Sequence, residues 1–204
     1  CICGASNQAS DFSRVSFFIY TREWDNISAQ SKPDKNILNP SSLTRFARME
    51  IARHGLNFSI AHFTIFSAVN RENLHGHTFQ VQCELVAPVL DNGLTFDYGI
   101  IKKTVREICD SLDEKTVLPD LSPYLRVERD NEYITALFNK EKLFFLPRDV
   151  LILPVRNTTV EELSNYILER LLDAESFKGK GIVEITIKVS SSPGQTGCTT
   201  WKAE

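Results

Sequence analysis

The sequence predicts an α+β domain built on an antiparallel sheet, and three observations predict it. Residues 45–63 and 77–89 alternate apolar and polar side chains over lengths that suit long strands. Residues 97–112 and 157–172 instead repeat their apolar side chains at helical spacing. A third alternating segment, 181–190, follows the second helix, so strands and helices are segregated in the manner of an α+β fold. A chain of 204 residues, 42% of them hydrophobic, is long enough for one sizeable core.

Residues 1–45 read as a peripheral N-terminal extension to a domain over 46–204. Within it, "DFSRVSFFIYTREW" suits a strand or a short helix. "DNISAQSKPDKNILNPSS" is rich in Asn, Ser, Pro and charge, as linkers and surface loops are. "RFARMEIARHGLNFSIAHF" (45–63) reads as one long strand. In "HTFQVQCELVAPV" (77–89), Phe79, Val81, Cys83 and Leu85 share one face and Thr78, Gln80, Gln82 and Glu84 the other. Asp91-Asn92-Gly93 is a turn signal. Ile101, Val105, Ile108 and Leu112 then fall on one helical stripe, with Asp97 as the N-cap. "EYITALFNKEKLFFLP" (132–147) predicts two strands around Asn139-Lys140. In "NTTVEELSNYILERLL" (157–172), Thr158 and Glu161 fit a capping box, and Val160, Leu163, Ile167 and Leu171 form the apolar stripe. "GIVEITIKVS" (181–190) is a strand by alternation, and "GCTTWKAE" an edge strand.

Charge and cysteines narrow the partners. A net charge of −3 gives no bulk attraction to nucleic acid or an anionic membrane. No apolar run approaches the roughly 20 residues of a membrane span. The five cysteines are odd in number and irregular in spacing, which predicts no disulfide framework and a reducing compartment. That compartment is the cytoplasm, or an organelle after removal of a leader. The start, "CICGASNQASDF", has neither a signal-peptide pattern nor an initiator Met. Cys1 and Cys3 have no second pair at a zinc spacing, and read as a chain terminus.

Half of the four histidines sit in "RENLHGHTFQV" (71–81). On a strand, His75 and His77 project to one face while Gly76 faces away. Two imidazoles so placed can meet one ion at about 2.0–2.1 Å per nitrogen. His62 ends the preceding predicted strand, and antiparallel pairing brings it to them. Three neutral imidazoles leave a tetrahedral position open, the arrangement of a catalytic zinc. A His-Gly-His tripeptide by itself is more often half-exposed polar surface than a ligand pair; the third histidine and the nearby acid Glu72 shift the reading to the metal.

From about Glu50 to Trp201, roughly three quarters of the chain, the sequence resembles the 6-pyruvoyl-tetrahydropterin synthase and 6-carboxy-tetrahydropterin synthase family. The resemblance is carried in order by "FSIAHF", "LHGHTFQV", "NGLTFDYGIIKK", "SLDE", "NTTVEEL" and "VEITIKVSSSP". "FLPRDVLILPVRNTTVEELSNYIL" further resembles the malaria-parasite branch, which has a Glu near the metal motif where other members use Cys. The fold implied is the tunnelling fold: a four-stranded antiparallel sheet with two helices on one face, assembled as homotrimers or homohexamers into a barrel with active sites at the interfaces. The resemblance implies Zn2+ on His62, His75 and His77, and a 7,8-dihydropterin substrate such as 7,8-dihydroneopterin triphosphate.

Three positions depart from the family. Arg71 stands where most members have the catalytic Cys, and no cysteine lies between Cys3 and Cys83. Glu72, three residues before His75, matches the glutamate variant, which implies a retro-aldol cleavage giving 6-hydroxymethyl-dihydropterin. Read on its own, Glu72 is also compatible with a solvated loop acid. The family's Asp-His pair after the first helix is Asp113-Glu114 here. Glu114, with an ordinary pKa of about 4.3, needs burial to shuttle a proton near neutrality. Otherwise it is a surface acid at a helix end. The family's pterin-anchoring Glu aligns with Ser191, which loses a charge-assisted bond of order 1.5–3 kcal/mol. Thr159 and Glu161 align with a Thr-x-Glu segment near the pterin pocket, although helix capping by Thr158 and Glu161 accounts for much of it. Three readings result: a zinc-dependent lyase on a dihydropterin with Glu72 as base and Asp113-Glu114 in support, a non-catalytic zinc-containing family member that binds a ligand or partner, or a lyase whose substrate is changed because Ser191 alters the contact that selects the pterin.

Overall fold

The computed structural model describes residues 44–52 and 55–204; the strand or helix expected over residues 11–24, and the extension as a whole up to residue 43, lie outside the described residues. The main sheet is organised around one long strand, β5 (His75–Pro88). Both edges of β5 are paired. On one side β1 (Phe46–Ile51) covers its C-terminal half and β2 (Asn57–His62) its N-terminal half, both antiparallel. On the other side lie β11 (Glu184–Ser192) and then β12 (Gln195–Lys202), also antiparallel.

The single strand expected over 45–63 is thus two strands. Its alternation slips phase between them: Ile51 is buried at an odd position, whereas Leu56, Phe58, Ile60 and His62 are buried at even ones. Gly55, in the left-handed region at φ +97°, takes the bend that resets the phase. Two further strands extend the sheet beyond β2. β6 (Lys115–Pro119) pairs with β2, and β10 (Val150–Leu153) pairs with β6, both parallel. The four antiparallel strands expected from the resemblance, β2, β5, β11 and β12, are therefore part of a seven-stranded mixed sheet with β12 at one edge.

Both helices pack on one face. α1 (Tyr98–Leu112) starts at Asp97, whose carboxylate accepts the Gly99 amide at 2.9 Å. It buries Ile101, Val105, Ile108, Cys109 and Leu112. Its end is fastened to β2: the Asp113 carboxylate accepts the Ser59 amide at 2.6 Å, and the Glu114 amide donates to the Ser59 carbonyl at 2.8 Å. α2 (Val160–Asp173) is capped by Thr159, not by Thr158 as the capping-box pattern suggested. Thr159 accepts the Glu162 amide, and the Glu162 carboxylate takes the Arg156 amide at 2.8 Å. The cap is shifted by one residue because the Thr158 side chain has another partner, described below. The helices and sheet share a core in which Phe58 and Phe79 stack with ring centres 5.3 Å apart.

A second apolar cluster lies beyond the end of β2. A short ribbon of β3 (Ile65–Ser67) and β4 (Asn70–Arg71) precedes β5. A separate sheet of β7 (Leu125–Arg129), β8 (Ile134–Phe138) and β9 (Glu141–Phe145) follows β6. β8 and β9 are the two strands expected around Asn139-Lys140. Phe63, Ile65, Leu118, Leu125, Ile134, Ala136 and Phe138 pack these pieces together. No helix among the described residues is long and apolar enough to cross a membrane.

A candidate metal centre at the end of the sheet

The register of β2 and β5 decides the site. His62 is the partner of His75, and Ile60 of His77. Parity then sends all three imidazoles to the helix-covered face, on the same stripe as Phe58, Ile60 and Phe79. The rings of His62 and His75 are 4.7 Å apart, those of His75 and His77 4.8 Å, and those of His62 and His77 5.5 Å. One ring nitrogen from each lies within 4.8 Å of the others. Tetrahedral zinc with bonds of 2.0–2.1 Å needs nitrogens about 3.4 Å apart, so closure on an ion asks for a shift of order 1 Å.

The second ring nitrogens of His62 and His75 are already assigned. Nδ1 of His62 donates to the Thr158 carbonyl at 2.9 Å, and Nδ1 of His75 donates to the Asn73 carbonyl at 2.7 Å. A carbonyl can only accept, so the Nδ1 of each ring carries a proton, and Nε2 is the nitrogen left to offer a lone pair to an ion. Nε2 of His62 is buried and has no hydrogen-bond partner. A buried polar atom without a partner is costly, and here its lone pair points into a cluster of two more imidazoles. Burial, helped by the neighbouring His75, pushes the His62 pKa down to about 4, so the ring is neutral at physiological pH. This donor set fits zinc: three imidazoles on one face, two of them backed by carbonyls that leave Nε2 for the ion.

The support behind His62 is the part the sequence reading missed. Thr158 is fully buried. Its hydroxyl donates to the Phe63 carbonyl at 2.8 Å while its own carbonyl holds His62. Asn157 exchanges two bonds with the backbone of Ile65, at 3.1 and 2.9 Å. Asn157 and Thr158 thereby tie the start of α2 to the segment leaving β2. The repeated hydroxyls of "NTT" were the available signal, but capping alone seemed sufficient to explain them.

Glu72 is beside the cluster. Its carboxylate is 3.9 Å from Nε2 of His75 and accepts the Thr64 amide at 2.9 Å. Burial alone would raise its pKa, but the Thr64 amide and the nearby His75 and His62 hold it below the usual carboxylate value. With its side chain 38% exposed, Glu72 is an ionised acid open to an incoming molecule. Asp113 and Glu114 lie elsewhere. Asp113 is engaged by the Ser59 amide, and Glu114, left-handed at φ 57°, lines a cleft of about 430 Å³ with Ser59, Gly76, His77, Thr78 and Asp149. Thr159 caps α2, Glu161 is exposed in its first turn, and Ser191 sits at a bulge in β11 with its hydroxyl 3.2 Å from Gln195. The buried Cys83 and Cys109 thiols are each pushed up to about 12 by burial, so neither ionises near neutrality.

Comparison with known proteins gives the family and the fold. The family model described as 6-pyruvoyl tetrahydropterin synthase matches residues 50–200. A provisionally assigned 6-carboxy-5,6,7,8-tetrahydropterin synthase of Methanocaldococcus jannaschii is 34% identical over 148 residues, covering 71% of this chain and 89% of the relative. The structure is similar to that of the 6-pyruvoyl tetrahydropterin synthase of Plasmodium vivax, with a TM-score of 0.73, 28% identity, and coverage of 78% of this chain and 99% of that one. The Plasmodium falciparum enzyme gives a TM-score of 0.72 at 30% identity, over the same shares of the two chains. Further structures of the P. vivax protein carry its catalytic glutamate replaced by alanine or by cysteine. With its β2–β5–β11–β12 sheet, its two helices and its family match over three quarters of its length, the chain belongs to the 6-pyruvoyl tetrahydropterin synthase family and has its tunnelling fold.

Proposed function

We propose that this protein is a zinc-dependent lyase acting on 7,8-dihydroneopterin triphosphate or a close pterin analogue, with Glu72 as its base. The observation that carries the reading is the ionised Glu72 carboxylate at 3.9 Å from Nε2 of His75, beside two more imidazoles. His62, His75 and His77 would hold the ion. Zinc bound there supplies a Lewis acid that lowers the pKa of a hydroxyl on the substrate side chain.

Glu72 takes the proton from the second side-chain hydroxyl. That oxygen becomes a carbonyl as the bond between the first and second side-chain carbons breaks. The electron pair passes into the C=N of the dihydropterin ring, and the first side-chain carbon then takes up a proton. The products are 6-hydroxymethyl-dihydropterin and a two-carbon aldehyde bearing the triphosphate. The P. vivax relative supports the assignment, since its catalytic residue is also a glutamate. A cysteine base is disfavoured because the buried thiols stay protonated and Arg71 occupies the usual position. The protein works as a homotrimer or homohexamer in this reading, which light scattering of the purified protein tests.

A second reading, a zinc-containing protein without turnover, is favoured by one observation: Asp113 gives one carboxylate oxygen to the Ser59 amide, and the residue after it is Glu114 rather than a histidine. One experiment separates the two. Zinc-loaded protein is incubated with dihydroneopterin triphosphate and the products are identified by mass spectrometry. Appearance of 6-hydroxymethyl-dihydropterin, lost in Glu72→Gln, supports the lyase. Absence of both side-chain cleavage and triphosphate release, with zinc bound, leaves the second reading.

A further inference from the structure

The β7–β9 sheet has no part in the chemistry above, yet one end of it reaches the site through Arg71. Nε of Arg71 donates to the Glu141 carboxylate at 3.0 Å, and its Nη2 pairs with the same group. Its Nη1 donates to the Glu72 carbonyl at 2.8 Å. The guanidinium carbon lies 5.0 Å from the centre of the Phe63 ring and 5.6 Å from that of Phe138. The side chain is only 15% exposed. Phe138 and Glu141 are the pair that closes the β8–β9 hairpin, across a turn where Asn139 is left-handed at φ 51°. The hairpin tip is therefore a clamp, one ring and one carboxylate, around a single guanidinium.

We infer that Arg71 is a positioning residue for Glu72, and that the β7–β9 sheet is the bracket that fixes Arg71. The inference rests on the reading of Glu72 as the base. Residues 72–74 belong to no strand. Glu72 is held there by its two contacts with Thr64, amide to carbonyl and amide to carboxylate, and by the bond from Arg71. Without that bond the peptide after Glu72 is free to turn, and the carboxylate drifts from the ligand cluster. A planar fork that binds a carboxylate with two nitrogens and still donates a third bond is a geometry that lysine cannot copy.

The test compares zinc-loaded Arg71→Ala, Arg71→Lys and Glu141→Gln, with Arg126→Ala as a control that removes a guanidinium from the β7–β9 sheet itself. Displacement of a base by about 1 Å costs on the order of 100-fold. Arg71→Ala is expected to lower kcat by roughly 10–100-fold with KM and zinc content near wild type, Arg71→Lys and Glu141→Gln to fall between, and Arg126→Ala to change nothing. In a Glu72→Gln background, Arg71→Ala adds no further loss, because the two act through one group. Hydrogen exchange gives a readout free of activity: the Thr64 and Glu72 amides exchange faster in Arg71→Ala while β11 amides do not. A lower melting temperature with kcat unchanged overturns the inference, as does a loss additive with that of Glu72→Gln. If Glu72→Gln keeps the wild-type rate, the base assignment falls by itself. Exchange then decides the positioning role: acceleration confined to Thr64 and Glu72 upholds it, and unchanged exchange overturns it.

Discussion

The His62 ring nitrogen Nδ1 and the Thr158 carbonyl oxygen are hydrogen-bonded at 2.9 Å across 96 residues of chain. One bond thus joins the end of β2 to the residue before the α2 cap, and the candidate metal centre is oriented by a helix that supplies no ligand to it. Replacing Thr158 by Val keeps the shape but strips the Phe63 carbonyl of its donor. A buried acceptor left alone costs about 1–3 kcal/mol. Thr158→Val is expected to lower stability by that amount in urea unfolding and to weaken zinc binding by roughly 10–100-fold in a chelator competition.

The pH dependence of the metal-free protein follows from the same ring. The folded His62 pKa of about 4 lies below the ordinary value of about 6.5. Between those values the unfolded chain binds a proton that the folded chain does not, so acid favours unfolding. The stability is fully present above pH 6.5, falls as the pH drops toward 4, and levels below it, a loss of about 3 kcal/mol from this group. Urea titrations of wild type and His62→Gln from pH 7 to 4 should diverge in that window, the variant having the flatter profile. Parallel profiles would remove the buried neutral imidazole from the account.

Metal removal gives a separate outcome. Zinc bound to the folded state alone stabilises it by mass action. Dialysis against a strong chelator should lower the melting temperature of the wild type and leave that of His75→Ala unchanged. Elemental analysis should find about one zinc per chain in the wild type and far less in His75→Ala.

Thiol accessibility is predicted from burial. Among the described cysteines, Cys198 is exposed while Cys83 and Cys109 are buried and held protonated. Native protein should therefore react with a thiol reagent at Cys198, with Cys83 and Cys109 modified only after unfolding. Unchanged zinc content after Cys198 is blocked would show that this exposed thiol is no part of the metal centre.

Gly197 marks where α2 touches the sheet. A Cβ there would lie 2.5 Å from the Val160 carbonyl carbon, in the first turn of the helix. Gly197→Ala must push the helix start away, at a cost of about 1–3 kcal/mol. Because Thr158 sits at that start, zinc affinity should fall together with the unfolding midpoint.

Much of this could be read from the chain. The long β5, the Asp97 cap and the approach of His62 to His75 followed from alternation, one short side chain and antiparallel pairing. What escaped the reading shares a cause. β6 and β10 are five and four residues long and pair in parallel, too short for a period to show and joined by no local turn. The slip of phase between Ile51 and Leu56 is one that a count of apolar residues does not register. Thr158 and Thr159 are identical in the sequence, and only the neighbouring Phe63 carbonyl and His62 decide which one caps the helix. Contacts across roughly ninety residues choose between equal local candidates, and no local pattern contains them.

The division of one flank of β5 between β1 and β2 has a consequence for how the chain can be shortened. Removal of residues up to 52 would spare the histidines and both helices but strip the partner from residues 83–88. Those six positions would become a bare sheet margin rich in Leu, Val and Ala, open to pairing with another molecule. A truncated protein is thus expected to precipitate or form high-mass species while still binding zinc, because the edge it presents is β5 in place of the shorter β1.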